Sequence, residues 1–152
     1  MGFNRGEDTQ YTFTFTNENM GAHYGDAYMI DLIENRAINI LKNGNEYSFT
    51  AQAADTLVKR FKIFSYNTTT EKNEINTNEE LKIFNFQKTI FVDNTTTKKG
   101  YVTLYDITGK QVQKSPFEAN EVTSISTNLA SGVYIVKALM GNKKVSKRIT
   151  LP

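Results

Sequence analysis

The chain has no cysteine, no tryptophan, one histidine and only two prolines. Without cysteine there is no disulfide framework, no thiolate nucleophile and no cysteine-held metal. No apolar run approaches the roughly 18 residues that a membrane helix needs. The opening Met1-Gly2-Phe3-Asn4-Arg5-Gly6 lacks the apolar centre of a signal peptide, so we expect a C-terminal fragment of a longer protein. The single histidine, His23, lies in the glycine-flanked stretch Met20–Gly25, with no nucleophile elbow, second histidine or glycine-rich phosphate loop beside it. It reads as a surface histidine, and no catalytic residue is assigned. Asp26 and Asp31 lack the clustered oxygen ligands that a calcium ion prefers, so no metal-binding or cofactor-binding residue is assigned either.

What the chain does have is 152 residues, 39% of them hydrophobic, enough for one domain or two small ones. Its 8 tyrosines and 10 phenylalanines, with abundant threonine and asparagine, suit pleated strands and the turns between them. The expected class is all-β. Charge is uneven: residues 1–66 carry a net −2, residues 67–80 a net −3, and residues 81–152 a net +7. Such asymmetry suggests two modules with different surfaces. The basic end can attract an anionic partner such as lipopolysaccharide or nucleic acid, although solvated strand faces are the preferred reading, since charged residues commonly occupy the wet side of strands.

Residues 67–80 hold one large apolar residue, Ile75, and read as a polar linker. Before it, Tyr11-Thr-Phe-Thr-Phe-Thr16 alternates with period two, the pattern of a half-buried strand. Further strands are expected at Ala27–Ile33, Ala37–Leu41, Glu46–Ala51 and Lys59–Ser65, with Asn43-Gly44 closing a hairpin between the third and fourth. Tyr47, Phe49 and Ala51 should point inward together. Five strands make a thin core, so residues 1–66 are expected to be the tail of a larger β-sandwich. Its aromatic face would pack on the second module or on another copy of the chain, by self-association.

Residues 81–152 read as seven short strands at Lys82–Phe86, Thr89–Asp93, Tyr101–Ile107, Gln111–Lys114, Glu121–Ser126, Gly132–Leu139 and Lys143–Leu151. Regular spacing and glycine turns argue a second small, immunoglobulin-like β-sandwich. The strand from Gly132 is apolar on both sides and should be central. The last strand puts Val145, Ile149 and Leu151 inward and Lys144, Ser146, Arg148 and Thr150 outward, as on a charged edge. Asn67-Thr-Thr69 and Asn94-Thr-Thr96 match glycosylation acceptors, which matter only in a eukaryote.

Two blocks of this second module, Tyr105-Asp-Ile-Thr-Gly109-Lys110 and Gly132-Val-Tyr-Ile-Val136, together with Lys147 in the last strand, resemble the type A C-terminal sorting domain of the Bacteroidetes type IX secretion system. Many members open with a Pro-x-x-Asn-Pro motif, where this chain has Leu81-Lys-Ile-Phe-Asn-Phe-Gln-Lys88. Tyr28–Ile33, Asn43-Gly44, Tyr47–Ala51 and Arg60-Phe61 resemble a β-sandwich tail found before that domain in many Bacteroidetes surface proteins. The resemblance implies a non-catalytic export and anchoring signal on a secreted or outer-membrane surface protein. Its motif residues would be Tyr105, Asp106, Gly109, Lys110, Gly132, Val133, Tyr134 and Lys147, and no cofactor. The implied partners are the outer-membrane secretion machinery and a sortase-like protease that cuts in the linker as cargo is joined to lipopolysaccharide; no nucleic acid is implied. The alternative is an adhesion or carbohydrate-binding module that stacks sugars on exposed aromatics, although alternating Tyr and Phe more often face a core.

Overall fold

The computed structural model describes residues 9–18, 26–41, 44–51, 59–66 and 80–152. His23, Asn43, Asn67 and the linker residues 67–79 lie outside the described residues. Every regular element described is a strand, and the chain divides into two compact units, residues 1–73 and 74–152.

The first unit has five strands, β1 (Gln10–Thr14), β2 (Asp26–Asp31), β3 (Arg36–Asn39), β4 (Glu46–Thr50) and β5 (Phe61–Tyr66). They form two antiparallel sheets, β1-β4 and β3-β2-β5. The expected hairpin between β3 and β4 is not formed: β3 pairs with β2, and β4 pairs with β1 in the register Tyr11↔Phe49 and Phe13↔Tyr47. Cross-strand pairing of the two alternating aromatic stripes stabilises this choice. Gly44, at φ +77°, instead turns the chain from one sheet to the other, its N–H donating to the Phe15 carbonyl. The β2–β3 hairpin closes through residues 32–35, where Asn35 accepts a positive φ of 51°.

The first unit is thus built of two sheets that cover each other. Phe61 of β5 sits edge-on to Phe13 and Phe49, with ring centroids 5.0 and 4.8 Å away. Tyr47, Phe49 and Ala51 all point into this core, as their alternation requires.

A buried ion pair joins the parts. Arg60, 1% exposed, donates from Nε and Nη2 to the carboxylate of Asp31, 0% exposed, and from Nη1 to the Thr50 carbonyl. Tyr47 Oη donates to the same carboxylate at 2.9 Å, and the Ile33 and Glu34 N–H groups donate to its other oxygen. The guanidinium lies over the Phe49 ring, 4.6 Å from its centroid. Burial pushes the Asp31 carboxyl upward, but the bonds from Arg60, Tyr47, Ile33 and Glu34 together hold it below its ordinary value.

The second unit has β6 (Leu81–Phe86), β7 (Thr89–Asn94), β8 (Gly100–Tyr105), β9 (Gln111–Phe117), β10 (Glu121–Ser126), β11 (Gly132–Met140) and β12 (Lys143–Leu151). All seven expected strands form, divided between sheets β10-β7-β6 and β12-β11-β8-β9. Leu81, Ile83, Ile90, Val92, Val102 and Leu104 meet Tyr134, Val136, Ala138, Val145 and Ile149 in one core. β11 is central, between β12 and β8. On its outward side Val133 is 41% and Leu139 54% exposed, while Tyr134, Val136 and Ala138 on the other side are buried. Gly100 is fixed by space, since a Cβ there would lie 2.4 Å from both the Phe117 ring and the Leu139 carbonyl.

Asp31 sets a test of the first unit. A carboxyl whose folded pKa is depressed adds stability above its unfolded pKa of about 3.9, and loses it as pH falls through the lower folded value. Asp31→Asn should lower unfolding free energy at pH 7 by about 3–5 kcal/mol, because Arg60 is left buried without its counter-charge. Urea titrations between pH 7 and pH 2 should show the wild type losing that advantage below about pH 4, while the variant changes less. Parallel pH profiles would contradict this role.

Candidate functional site

The motif residues gather in two places, neither of them a cleft. Tyr105 ends β8 opposite Ile135 of β11, and Gly132 opens β11 opposite Leu151 of β12. The Asp106–Lys110 turn and the 128–132 loop therefore share one end of the four-stranded sheet. Glu80, where β6 is about to begin, lies at the other end, paired with Lys143 at the start of β12.

The first block is a turn built around a carboxylate. Asp106 Oδ1 accepts from the Thr108 N–H at 2.9 Å, the Thr108 hydroxyl at 2.6 Å and the Lys110 N–H at 3.1 Å. Its backbone N–H donates to the Lys110 carbonyl, and its carbonyl accepts from the Gly109 N–H. Gly109 stands at φ +84°, where a side chain is strained. The Thr108 hydroxyl first, and then the Lys110 and Thr108 N–H groups, hold the Asp106 carboxyl below its ordinary value. Asp and Gly are thus the residue types this turn needs. Between them Ile107 projects into solvent, 81% exposed.

In the second block Tyr134 is buried, and its hydroxyl donates to the Ala130 carbonyl four residues upstream at 2.9 Å. The arrangement is of the tyrosine-corner kind, in which a ring fills the core while its hydroxyl pins the preceding loop. Thr127 supports the same loop, its N–H donating to the Lys88 carbonyl and its hydroxyl accepting from the Leu129 N–H. Val133 points the other way, to the outer face.

Lys147 lies on the inward side of β12, and its ammonium donates to the Ile83 carbonyl of β6 at 2.9 Å. These two strands are edges of different sheets. Asn85 Nδ2 donates to the Thr150 carbonyl at 3.1 Å, a second stitch across the same side.

Residues 83–151 match the family model of the secretion system C-terminal sorting domain. The second module belongs to that family. The sorting domain marks the chain as part of a secreted or cell-surface protein, and the sorting-signal family is not a catalytic one. A comparison with curated proteins gives no match. Among solved structures, a "Biofilm associated protein - BSP domain" is similar at 16% identity and a TM-score of 0.38, over 95% of this chain and 27% of that one. The chain thus spans about a quarter of that protein's length.

Other candidates from sequence take structural roles. Asp31 is held by Arg60 and Tyr47, and it stands at the opposite end of β2 from Asp26, so the two do not converge on a cation. Among the described residues no three acidic or histidine side chains cluster. Asn94 is 1% exposed, and its Nδ2 donates to the Lys98 and Glu118 carbonyls at 2.7 Å, so the folded domain cannot present it as a glycan acceptor.

The residue that sequence reasoning passed over is Asn85. It lies in β6, in Lys82-Ile-Phe-Asn85-Phe86. Its bond to the Thr150 carbonyl gives the asparagine a task that no signal in the sequence marks.

Removing either pin should loosen the sorting domain without abolishing it. Tyr134→Phe and Lys147→Met each delete one hydrogen-bonding group and keep the apolar body, at about 1 kcal/mol apiece. Differential scanning calorimetry of the chain should show the sorting-domain transition lowered by about 4–8 °C for each variant. An unchanged transition would mean that water replaces the lost group at no loss.

Proposed function

We propose that this chain is the non-catalytic C-terminal part of a secreted or cell-surface protein, and that residues 81–152 are its export and anchoring signal for type IX secretion. The observation that carries the reading is the family match over 83–151, on a domain whose motif residues build turns, pins and surface rather than a reaction cleft. In this reading Asp106, Gly109, Gly132 and Tyr134 keep the two blocks in shape, and Lys147 keeps the sheets together. Tyr105, Lys110 and Val133 belong to the surface that is recognised. A folded address binds without first paying to order a tail, which favours recognition by a rigid surface.

Residues 1–66 then act as a β-sandwich spacer, and residues 67–80 as the polar joint. A sortase-like protease of the secretion system cuts this joint as cargo passes to anionic lipopolysaccharide. A segment with one large apolar residue, Ile75, can enter a protease cleft without disrupting a core. The sorting domain begins at the sheet end away from both motif turns, so such a cut leaves the recognised blocks whole.

Fusing residues 1–152 behind a periplasmic reporter, in a Bacteroidetes host with the secretion system, tests the proposal. The reporter should reach the cell surface, and its new terminus should map within 67–80. Ending the fusion at Glu80 should leave the reporter periplasmic. Equal distribution of the two fusions would contradict the proposal.

A further inference from the structure

The outer face of the β12-β11-β8-β9 sheet has a composition that folding does not explain. In register across it, Lys137 of β11 and Lys114 of β9 flank Thr103 of β8. Their ammonium groups diverge: Lys114 Nζ lies 4.8 Å from the Tyr101 ring centroid, and Lys137 Nζ lies 4.7 Å from that of Tyr105. Each lysine is thus held flat against the sheet by a cation–π contact, rather than extended into water. Lys144 and Arg148 add two more cations on the outward side of β12.

Within residues 81–152 no carboxylate is paired with these four charges. Among residues 81–152, Asp93 is buried in β7, Asp106 is bound in its turn, Glu118 pairs with Lys99, and Glu121 opens β10 of the other sheet. Between the cations lie apolar groups left open to water: Tyr101 is 55%, Leu139 54% and Val133 41% exposed. Exposed aromatic and aliphatic groups in the middle, with charge around them, are the pattern of a protein interface.

Resting on the export reading, we propose that this sheet face docks an acidic, partly apolar surface of a protein in the secretion machinery. A polysaccharide fits less well. Sugar stacking needs an open ring face, and here lysine ammonium groups lie over both tyrosines. Leu139 and Val133 gain only from an apolar surface laid against them. Carboxylates of the partner meet Lys114 and Lys137 without competition from the domain itself, which favours both fast encounter and the correct partner.

The test uses the full 152-residue chain behind the periplasmic reporter. Reversing two charges, Lys114→Glu with Lys137→Glu, should reduce surface display by at least about tenfold, whereas Lys114→Arg with Lys137→Arg should keep it. The melting temperature is measured for each variant. If the reversed variant unfolds, the neutral pair Lys114→Gln and Lys137→Gln carries the comparison and should also lose display. Benzoylphenylalanine at Thr103 should crosslink to a polypeptide in the wild-type background, and the adduct should vanish on charge reversal. Undiminished display of a folded reversed variant, with the wild type exported, overturns this docking face and leaves the sorting signal standing. So does an adduct that is lipopolysaccharide. A wild-type chain that is not exported overturns the export reading, and this inference with it.

Discussion

The Lys147 ammonium crosses 2.9 Å from the inward side of the last strand to the Ile83 carbonyl on the first strand of the sorting domain. Both strands are sheet edges, where backbone groups are left without ladder partners. A long side chain with an apolar stem suits this place, since the stem lies along the core while the head reaches the rim. Asn85 repeats the stitch toward Thr150, and the Glu80–Lys143 ion pair closes the same side where β6 begins. With that side closed, the sheets keep the spacing that lets Tyr134, Val136 and Ile149 meet Ile83, Ile90 and Val92. The turn blocks depend on the same packing, because Tyr134 is both a core ring and the pin of its own loop.

The first module is held differently. Its sheets meet through aromatic rings, and one buried guanidinium ties β2 to β4 by way of Asp31 and the Thr50 carbonyl. A buried ion pair adds little net stability over a well-packed apolar substitute, but it is unforgiving of the loss of one partner. Asp31 satisfies this condition fully, with bonds from a guanidinium, a phenol and two backbone N–H groups. Cations take opposite roles in the two modules. Arg60 is 1% exposed and spent inside its fold, whereas Lys114 and Lys137 lie on tyrosine rings at the surface, where a partner can meet them.

Much of the second module was legible in the sequence because its punctuation is local. Thr108-Gly109 and Gly141-Asn142 mark the turns between strands, and all seven strands stand where such signals put them. The first module was harder for a physical reason. Asn43-Gly44 suits a tight hairpin and a sheet-to-sheet turn alike, and which one forms depends on whether Tyr47 and Phe49 find Phe13 and Tyr11 or the strand just before them. That is a long-range choice. The central place of β11 was legible from its apolar residues on both sides, but nothing in a single strand says which side a second layer covers. Asp106, Gly109 and Tyr134 are legible in the sequence as turn and core chemistry, while the outer face of the four-stranded sheet needs the sheet order to assemble it.

In the proposed reading Asp106, Gly109, Tyr134 and Lys147 act in export through the fold they maintain. Display of the reporter, plotted against the melting temperature of the sorting domain for Asp106→Ala, Gly109→Ala, Tyr134→Phe and Lys147→Met, tests this most directly. The account predicts one curve, with display falling only as the folded fraction falls at the host's growth temperature. A variant that melts like the wild type and is not displayed would contradict it, because that residue would then be read by the machinery itself.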